Sequence, residues 1–301
     1  MSTASWVLVT MESWRGAFAA AQPLGAITAV VVGPRSLADE VADAGPVEVL
    51  WLDPADGVPA EAYGSPLAAV ISAAGPRVVV ATSDPVGRVL LGAASARLRA
   101  QLVPRVVGLA LDGDTVLIHR AAVSGETIET LAGHGPVAAI CDADDVPLQR
   151  SGPAPVNRLD LVAAPMVLVA SEPIAVATGL EDAERVVSFG RGVRAKEDVA
   201  LVRGLAEALD AELACSMPIA DDLGWLEKSR YVGRSGNHIK PALYLAVGIA
   251  GAAQHMEGVR GARVVAAINS DPDARIFQTA DYGIVGDLYE VVPALIAEVH
   301  K

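Results

Sequence analysis

Aromatic side chains are scarce in this 301-residue chain, at 4% of the total. That argues against an aromatic-cored β-sandwich and favours parallel sheets covered by alanine-rich helices. Two cysteines, Cys141 and Cys215, are too few for a disulfide framework or a thiolate metal site. The histidines, His119, His134, His238, His255 and His300, show no H-x-x-x-H or H-E-x-x-H spacing, so no zinc site and no other metal site is expected. Basic charge is also short: 23 Lys and Arg face 36 Asp and Glu, a net charge of −13. That balance excludes nucleic acid and an anionic membrane surface as natural partners. No apolar run reaches the roughly 18 residues of a membrane span, and the first residues lack the charged start of a secretory signal. The expected setting is the reducing cytoplasm.

What is abundant is apolar and small. The chain is 52% hydrophobic, and its length sits at the ceiling for one core, so two domains are expected. In the first half, short apolar runs at 6–10, 26–33, 47–51, 67–72 and 77–82 read as strands, with 115–123 and 136–142 as two more. Residues 86–102 have helical spacing, and 161–170 form a further apolar run. Asp84-Pro85-Val86-Gly87-Arg88 follows a strand and opens a helix, a place where an anion or an ordinary turn would fit. The expected division is an N-terminal α/β domain over 1–175 and a second α/β domain over 176–301. Each should be a mostly parallel sheet flanked by helices.

The second block is denser in chemistry. Strands are expected at 185–189, 212–215, 243–247, 264–269 and 281–285, with a helix ending near Asp210 and a closing helix reaching His300. Several strands end in glycine or a small polar residue before a helix, the arrangement that lines a ligand crevice in an open parallel sheet. Gly190-x-Gly192-x-x-Ala195 fits the loose dinucleotide fingerprint, yet its acidic ribose partner, Asp210 or Glu212, does not clearly end the next strand. Gly248-x-x-Gly251-x-x-Gln254-His255 sets a histidine two turns beyond a glycine-rich helix start. A lone helix histidine is more often satisfied by a backbone carbonyl. Asn269 and Asp287 end strand-like runs, where turn formers and N-caps are common. Lys228, Arg230, Arg234, His238 and Lys240 form the one basic segment, read either as a solvated face or as support for an anionic ligand.

These residues carry a resemblance. Residues 186–299 resemble the C-terminal half of the electron-transferring flavoprotein alpha subunit. The likeness includes Ser188-Phe189-Gly190-Arg191-Gly192, Ala214-Cys215-Ser216, Tyr231-Val232-Gly233-Arg234-Ser235-Gly236, and Lys240-Pro241-Ala242-Leu243-Tyr244-Leu245-Ala246-Val247-Gly248. It continues through Ala267-Ile268-Asn269 and the stretch from Ile276 to Leu288. The first half is similar to the family's N-terminal domain, with weaker signatures. The resemblance implies an FAD-binding, Rossmann-like domain in an electron carrier with no substrate chemistry of its own, paired with a beta subunit as a heterodimer. It implies FAD contacts from Arg191, Ser216, Met217, Val232, Gly233, Arg234, Ser235, Ala250, Gly251, Ala252, Ala253, Gln254, His255, Asn269, Asp287 and Leu288. His255 would lie near the pyrimidine edge of the flavin, and Ser235 near the central ring nitrogen. Electrons would pass from dehydrogenases of the acyl-CoA type, as in fatty acid beta-oxidation, to a quinone reductase or similar acceptor. An AMP would belong to the beta subunit.

The chain departs from the family pattern at four places. Met217 stands where arginine is usual, and losing that cation should lower the flavin potential. Ala250 replaces a serine, Ser270 replaces a lysine, and Arg234 fills a position often held by Gln or a small apolar residue. Arg234 is expected to replace part of the lost charge. Two other readings follow from the resemblance: a bifurcating or specialised-pathway subunit, and an FAD-binding structural subunit with impaired electron transfer. An NAD-dependent enzyme ranks behind them, because no acid–base pair accompanies the glycine-rich turns.

Overall fold

The computed structural model describes residues 5–123, 127–143, 146–148, 152–166, 168–171 and 179–299. It divides into two compact units, Met1–Ser171 and Glu172–Lys301. Both are α/β, with mostly parallel sheets flanked by helices.

The first unit runs β1 (Ser5–Val9), α1 (Arg15–Ala21), β2 (Ile27–Val32), α2 (Arg35–Ala42), β3 (Glu48–Leu52), α3 (Gly64–Ala74), β4 (Val78–Thr82) and α4 (Pro85–Leu98). It continues with β5 (Gln101–Asp112), β6 (Thr115–Ala122), β7 (Thr127–Gly133), β8 (Val137–Cys141) and β9 (Val156–Arg158). The sheet order is β7-β6-β5-β8-β4-β1-β2-β3-β9, parallel except for the β5–β6 and β6–β7 pairings. Every residue of β1 is buried, because helices cover both faces of the sheet. Val7 and Val9 pack with α1 and α2, whereas Trp6 and Leu8 pack with α3 and α4. A strand covered twice reads as an unbroken apolar run rather than an alternating one.

Two sequence expectations are corrected here. Residues 67–72 are helix, not strand: Leu67, Ala68 and Ile71 are buried along one face of α3, which ends on Gly75 in the left-handed conformation. Burying Leu67 and Ile71 contributes roughly 1.5–3 kcal/mol each, and a short apolar run does not by itself distinguish helix from strand. The helix expected to 102 stops at Leu98, where Arg99 turns left-handed (φ 53°) and the chain enters β5. Residues 161–166 and 168–170 form neither helix nor strand, and residue 167 lies outside the described residues. The strands β5, β7 and β9 were not expected.

The second unit runs β10 (Arg185–Phe189), α5 (Val199–Ala208), β11 (Glu212–Cys215), β12 (Leu243–Val247), α6 (Ala253–Glu257), β13 (Val265–Asn269), β14 (Tyr282–Val285) and α7 (Leu288–Val299). All pairings are parallel, in the order β11-β10-β12-β13-β14. One face, through Val187, Phe189, Leu213, Leu245 and Val247, packs on α5 and α7. The other, through Val186, Ala214, Tyr244, Ala246 and Ala267, packs on the segment that includes Val232, Ile239 and Val259. Helix α5 ends at Ala208, and Asp210 adopts φ 50° before β11 begins. His300 lies outside the described residues.

Candidate functional site

Because all five strands of the second sheet are parallel, their C-terminal ends form one edge. The chain leaves β10 for β11 on one side, then returns to place β12 on the other, so the order reverses between β10 and β12. Ligand crevices of open α/β sheets lie at such a reversal, outside the strand C-termini. Arg191 follows β10; Ser216 and Met217 follow β11; Ala250, Gly251, Ala252, Ala253, Gln254 and His255 follow β12. Asn269 ends β13, and Asp287 and Leu288 follow β14. Val232 is tied to this edge by its N–H donating to the Cys215 carbonyl at 2.9 Å, which brings Gly233, Arg234 and Ser235 with it.

The glycines of this edge are explained within the protein. The Gly192 N–H donates to the Gly248 carbonyl at 3.0 Å, and the Gly190 N–H to Val247 at 3.0 Å. A Cβ on Gly190 would stand 2.6 Å from the Gly248 oxygen. Gly251, at φ 80°, would bring a Cβ to 2.3 Å from the Ile276 nitrogen. Backbone therefore packs on backbone where the loops converge. The fingerprint at 190–195 is corrected accordingly: α5 begins only at Val199, so these glycines do not open a helix. Nor does either expected ribose acid reach this edge: Asp210 precedes β11, and Glu212 begins it at the opposite end of the sheet, its carboxylate bound by Arg230 at 2.7 Å.

The turn from Tyr231 to Asn237 is stitched to its surroundings. The Arg234 N–H donates to the Gln254 carbonyl at 2.7 Å, and its guanidinium pairs with Glu257 of α6 at 2.7 Å. Ser235 Oγ bonds the Tyr231 hydroxyl at 2.8 Å, and the Arg234 carbonyl lies 3.1 Å from His238 Nε2. With Lys228 paired to Asp221 and Arg230 to Glu212, three cations of the basic segment have carboxylate partners inside the unit. Between this turn and β11, Ser216 is buried, Met217 is 44% exposed, and Pro218–Asp222 form a single π-helical turn.

His255 is a core residue. It is buried, with Nε2 2.6 Å from the hydroxyl of the fully buried Tyr244. Burial pushes its pKa down to about 4, and Nδ1 is buried without a hydrogen-bond partner among the described residues. Burial likewise raises the Tyr244 pKa, so the pair is neutral near pH 7. Beside it, burial and then Glu227 push the Cys215 thiol up to about 12.

Asn269 braces two loops: its Nδ2 donates to the Ile249 carbonyl at 2.9 Å and its Oδ1 accepts the Asp271 N–H at 3.0 Å. Asp287 accepts the Tyr289 N–H at 3.0 Å and the Arg194 guanidinium at 2.9 Å. That backbone N–H, aided by Arg194, holds the Asp287 carboxyl below its usual value. Tyr289 donates to Asp198 at 2.6 Å and accepts the Arg194 N–H at 2.8 Å. Sequence reasoning missed Arg194, Asp198, Tyr244, Glu257 and Tyr289. Their partnerships join distant segments, and no local spacing announces them. The side chain of Leu288 is buried in the core beneath α7.

In the first unit the helix start at Asp84 supplies its own anion. Asp84 Oδ1 accepts the Gly87 N–H at 2.9 Å, and Oδ2 accepts the hydroxyls of Thr10 (2.7 Å) and Thr82. A carboxylate already at the N-terminus of α4 occupies the place considered for an external anion.

Comparison with known proteins agrees with this architecture. Residues 11–164 match the model of the electron transfer flavoprotein domain, and residues 179–260 match the electron transfer flavoprotein FAD-binding domain. The chain is 35% identical over 299 residues to the putative electron transfer flavoprotein subunit YdiR of Escherichia coli K12, covering 96% of both chains. It is 54% identical over 118 residues to Protein FixB of Escherichia coli O139:H28, across 39% of this chain and 38% of that one. Protein FixB of Salmonella typhimurium is 52% identical over the same length, with the same coverage. Two units built on mostly parallel sheets, a glycine-crowded edge at the strand reversal of the second, and these matches together make the chain a member of the electron transfer flavoprotein family, of the alpha type.

Proposed function

We propose that this chain holds FAD along the C-terminal edge of the β10–β14 sheet and serves as the alpha subunit of a two-subunit electron carrier. One observation carries the reading. The backbone N–H groups of Ala250, Gly251, Ala252, Ala253 and Gln254 have no acceptor among the described residues. Converging amides of this kind suit a diphosphate. Ala250 has no hydroxyl to offer, so recognition of the diphosphate rests on these amides. Arg191 is an exposed cation on the neighbouring loop. Ser216 and Ser235 offer hydroxyls, and the Val232–Gly233–Arg234–Ser235 turn offers backbone. Asn269 and Asp287, their side chains already bonded within the protein, hold the loops that bound the site.

Bound flavin supplies the redox chemistry, taking electrons from one protein and passing them to another. The chain's part is to grip the cofactor, keep its redox-active ring accessible and set the electrostatic field around it. Arg234 and Glu257 contribute to that field as a pair, and Met217 contributes no charge. The partners in this reading are a beta subunit, dehydrogenases of the acyl-CoA type as donors and a quinone reductase as acceptor. An acidic surface suits selection among transient partners. A second reading, a subunit that binds FAD but transfers electrons poorly, is favoured by Met217 in the place of the usual arginine. A bifurcating pair would hold its additional flavin in the partner.

Co-expression with a beta subunit tests all of these. A yellow heterodimer reduced by an acyl-CoA dehydrogenase supports the carrier. A yellow heterodimer that is not reduced supports the second reading, and a colourless one removes FAD binding altogether.

A further inference from the structure

The loop that carries the amides of Ala250 to Gln254 follows β12, and β12 lies between β10 and β13 in the sheet. The loops that follow those two strands are both pressed onto it, main chain against main chain. On the β10 side, a Cβ on Gly192 would stand 2.6 Å from the Gly248 Cα. On the β13 side, the Ile276 N–H donates to the Ala250 carbonyl at 3.1 Å, and a Cβ on Gly251 would lie 2.9 Å from the carbonyl carbon of Arg275. Each flanking loop carries an exposed arginine at its contact: Arg191 between the two glycines of the first, and Arg275 immediately before Ile276 in the second.

The charge of Arg275 is not accounted for within the unit. Among the cations of this edge, Arg194 pairs with Asp287 and Arg234 with Glu257. Arg191 and Arg275 have no ion pair among the described residues. Arg275 is the one basic residue of 270–281. Two exposed acids share its loop, Asp271 and Asp273; Asp271 Oδ1 accepts the Asp273 N–H at 2.9 Å, and neither carboxylate pairs with Arg275. The guanidinium therefore keeps its full set of donors. Adjacent strands lie about 4.8 Å apart, a span within the length of an arginine side chain.

We propose that Arg275 binds the diphosphate of the dinucleotide from the β13 side, opposite Arg191 and over the Ala250–Gln254 amides. This rests on the reading of the edge as an FAD site. A diphosphate linking two nucleosides carries two negative charges, whereas backbone amides offer dipoles and no net charge. Arg191 and Arg275 bracket those amides with one positive charge each, and the planar guanidinium fork matches a phosphate in geometry as well as sign. The unpaired arginines of this edge thus stand beside the free amides, while the paired ones, Arg194 and Arg234, serve to hold loops.

The test is equilibrium binding of FAD, read by flavin fluorescence, to the flavin-free full chain in complex with its beta subunit. Arg275→Ala should raise the FAD Kd about tenfold, the low end for a hydrogen bond to a charged group, and Arg275→Glu should raise it further. Both losses should shrink at high salt, because the guanidinium is exposed. Melting temperatures of the flavin-free complexes should coincide, since the side chain has no polar partner within the unit to lose. Arg263→Ala is the control: it removes an exposed arginine ahead of β13, at the opposite edge of the sheet, and should leave the Kd unchanged. An Arg275→Ala Kd within about twofold of wild type overturns the proposal, as does an equal loss in Arg263→Ala. A wild-type complex that takes up no FAD removes the flavin reading and this proposal together. A wild type that binds FAD beside an unaffected Arg275→Ala removes the proposal alone.

Discussion

Gly192 and Gly248 meet so closely that a Cβ on either would lie 2.6 Å and 2.8 Å, respectively, from the Cα of the other. The contact sits where the strand order reverses and holds the β10 loop against the β12 loop. Both sides are main chain, so neither can move away by changing rotamer. Gly192→Ala should therefore destabilise the protein by about 3 kcal/mol, at the upper end for overpacking. Gly92→Ala is the contrasting case: it lies within α4 with nothing within 4 Å, and should stabilise by up to about 1 kcal/mol. Urea midpoints at constant slope measure both. Equal midpoints for the two variants would contradict the close approach.

His255 makes stability depend on acidity. Its folded-state pKa is about 4 against 6.5 for an exposed imidazole. Between those values the unfolded chain takes up a proton that the folded chain does not, so stability falls as pH drops through this window. From pH 7.5 to pH 5 the loss from this residue is about 2 kcal/mol. His255→Gln should remove that part of the dependence. Urea titrations at the two pH values check it, and identical slopes in wild type and variant would count against a buried neutral histidine.

Arg234 and Glu257 should act on the flavin as opposing charges. Removing the guanidinium leaves the Glu257 carboxylate, which is only 11% exposed at its side chain, and should lower the flavin midpoint by roughly 30 mV or more. Arg234→Ala combined with Glu257→Gln should return most of that change. Potentiometric titration of the three proteins is the measurement. A shift well below that size in the single variant would mean that Arg234 does not replace the cation absent at Met217.

Cys141 and Cys215 are both buried. For Cys215 the rise from 9.0 to about 12 cuts the thiolate fraction on the order of a thousandfold. Neither thiol should react with iodoacetamide in the native protein, and both should react in urea. Mass spectrometry after timed labelling distinguishes the two states; rapid native labelling of Cys215 would show that its strand end opens readily.

The second sheet was legible in the sequence almost residue by residue. Runs such as Leu243-Tyr244-Leu245-Ala246-Val247 are covered on both faces, so burial demands apolar residues without interruption, and the glycine or asparagine that follows marks the end. The first unit was less legible. Residues 67–72 offer the same apolar composition to a helix as to a strand, and β7 exposes four of its first five residues, so it presents no apolar run to read. At the site, the sixteen residues drawn from the family resemblance fall on one sheet edge. The partners that hold them do not share a motif with them: Glu257 with Arg234, Tyr244 with His255, Arg194 and Tyr289 with Asp287.

Composition and periodicity alone determined the α/β class, the division into two sheets and the strands that end at the crevice, because backbone hydrogen bonding and two-sided burial leave a local imprint on residue choice. Only the tertiary structure decided why the glycines are glycines, which carboxylates neutralise the basic segment, and that His255 is a buried neutral partner of Tyr244. Those outcomes depend on distances between segments remote in the chain. Such distances exist only once the sheet has set its strands in register and drawn their ends together.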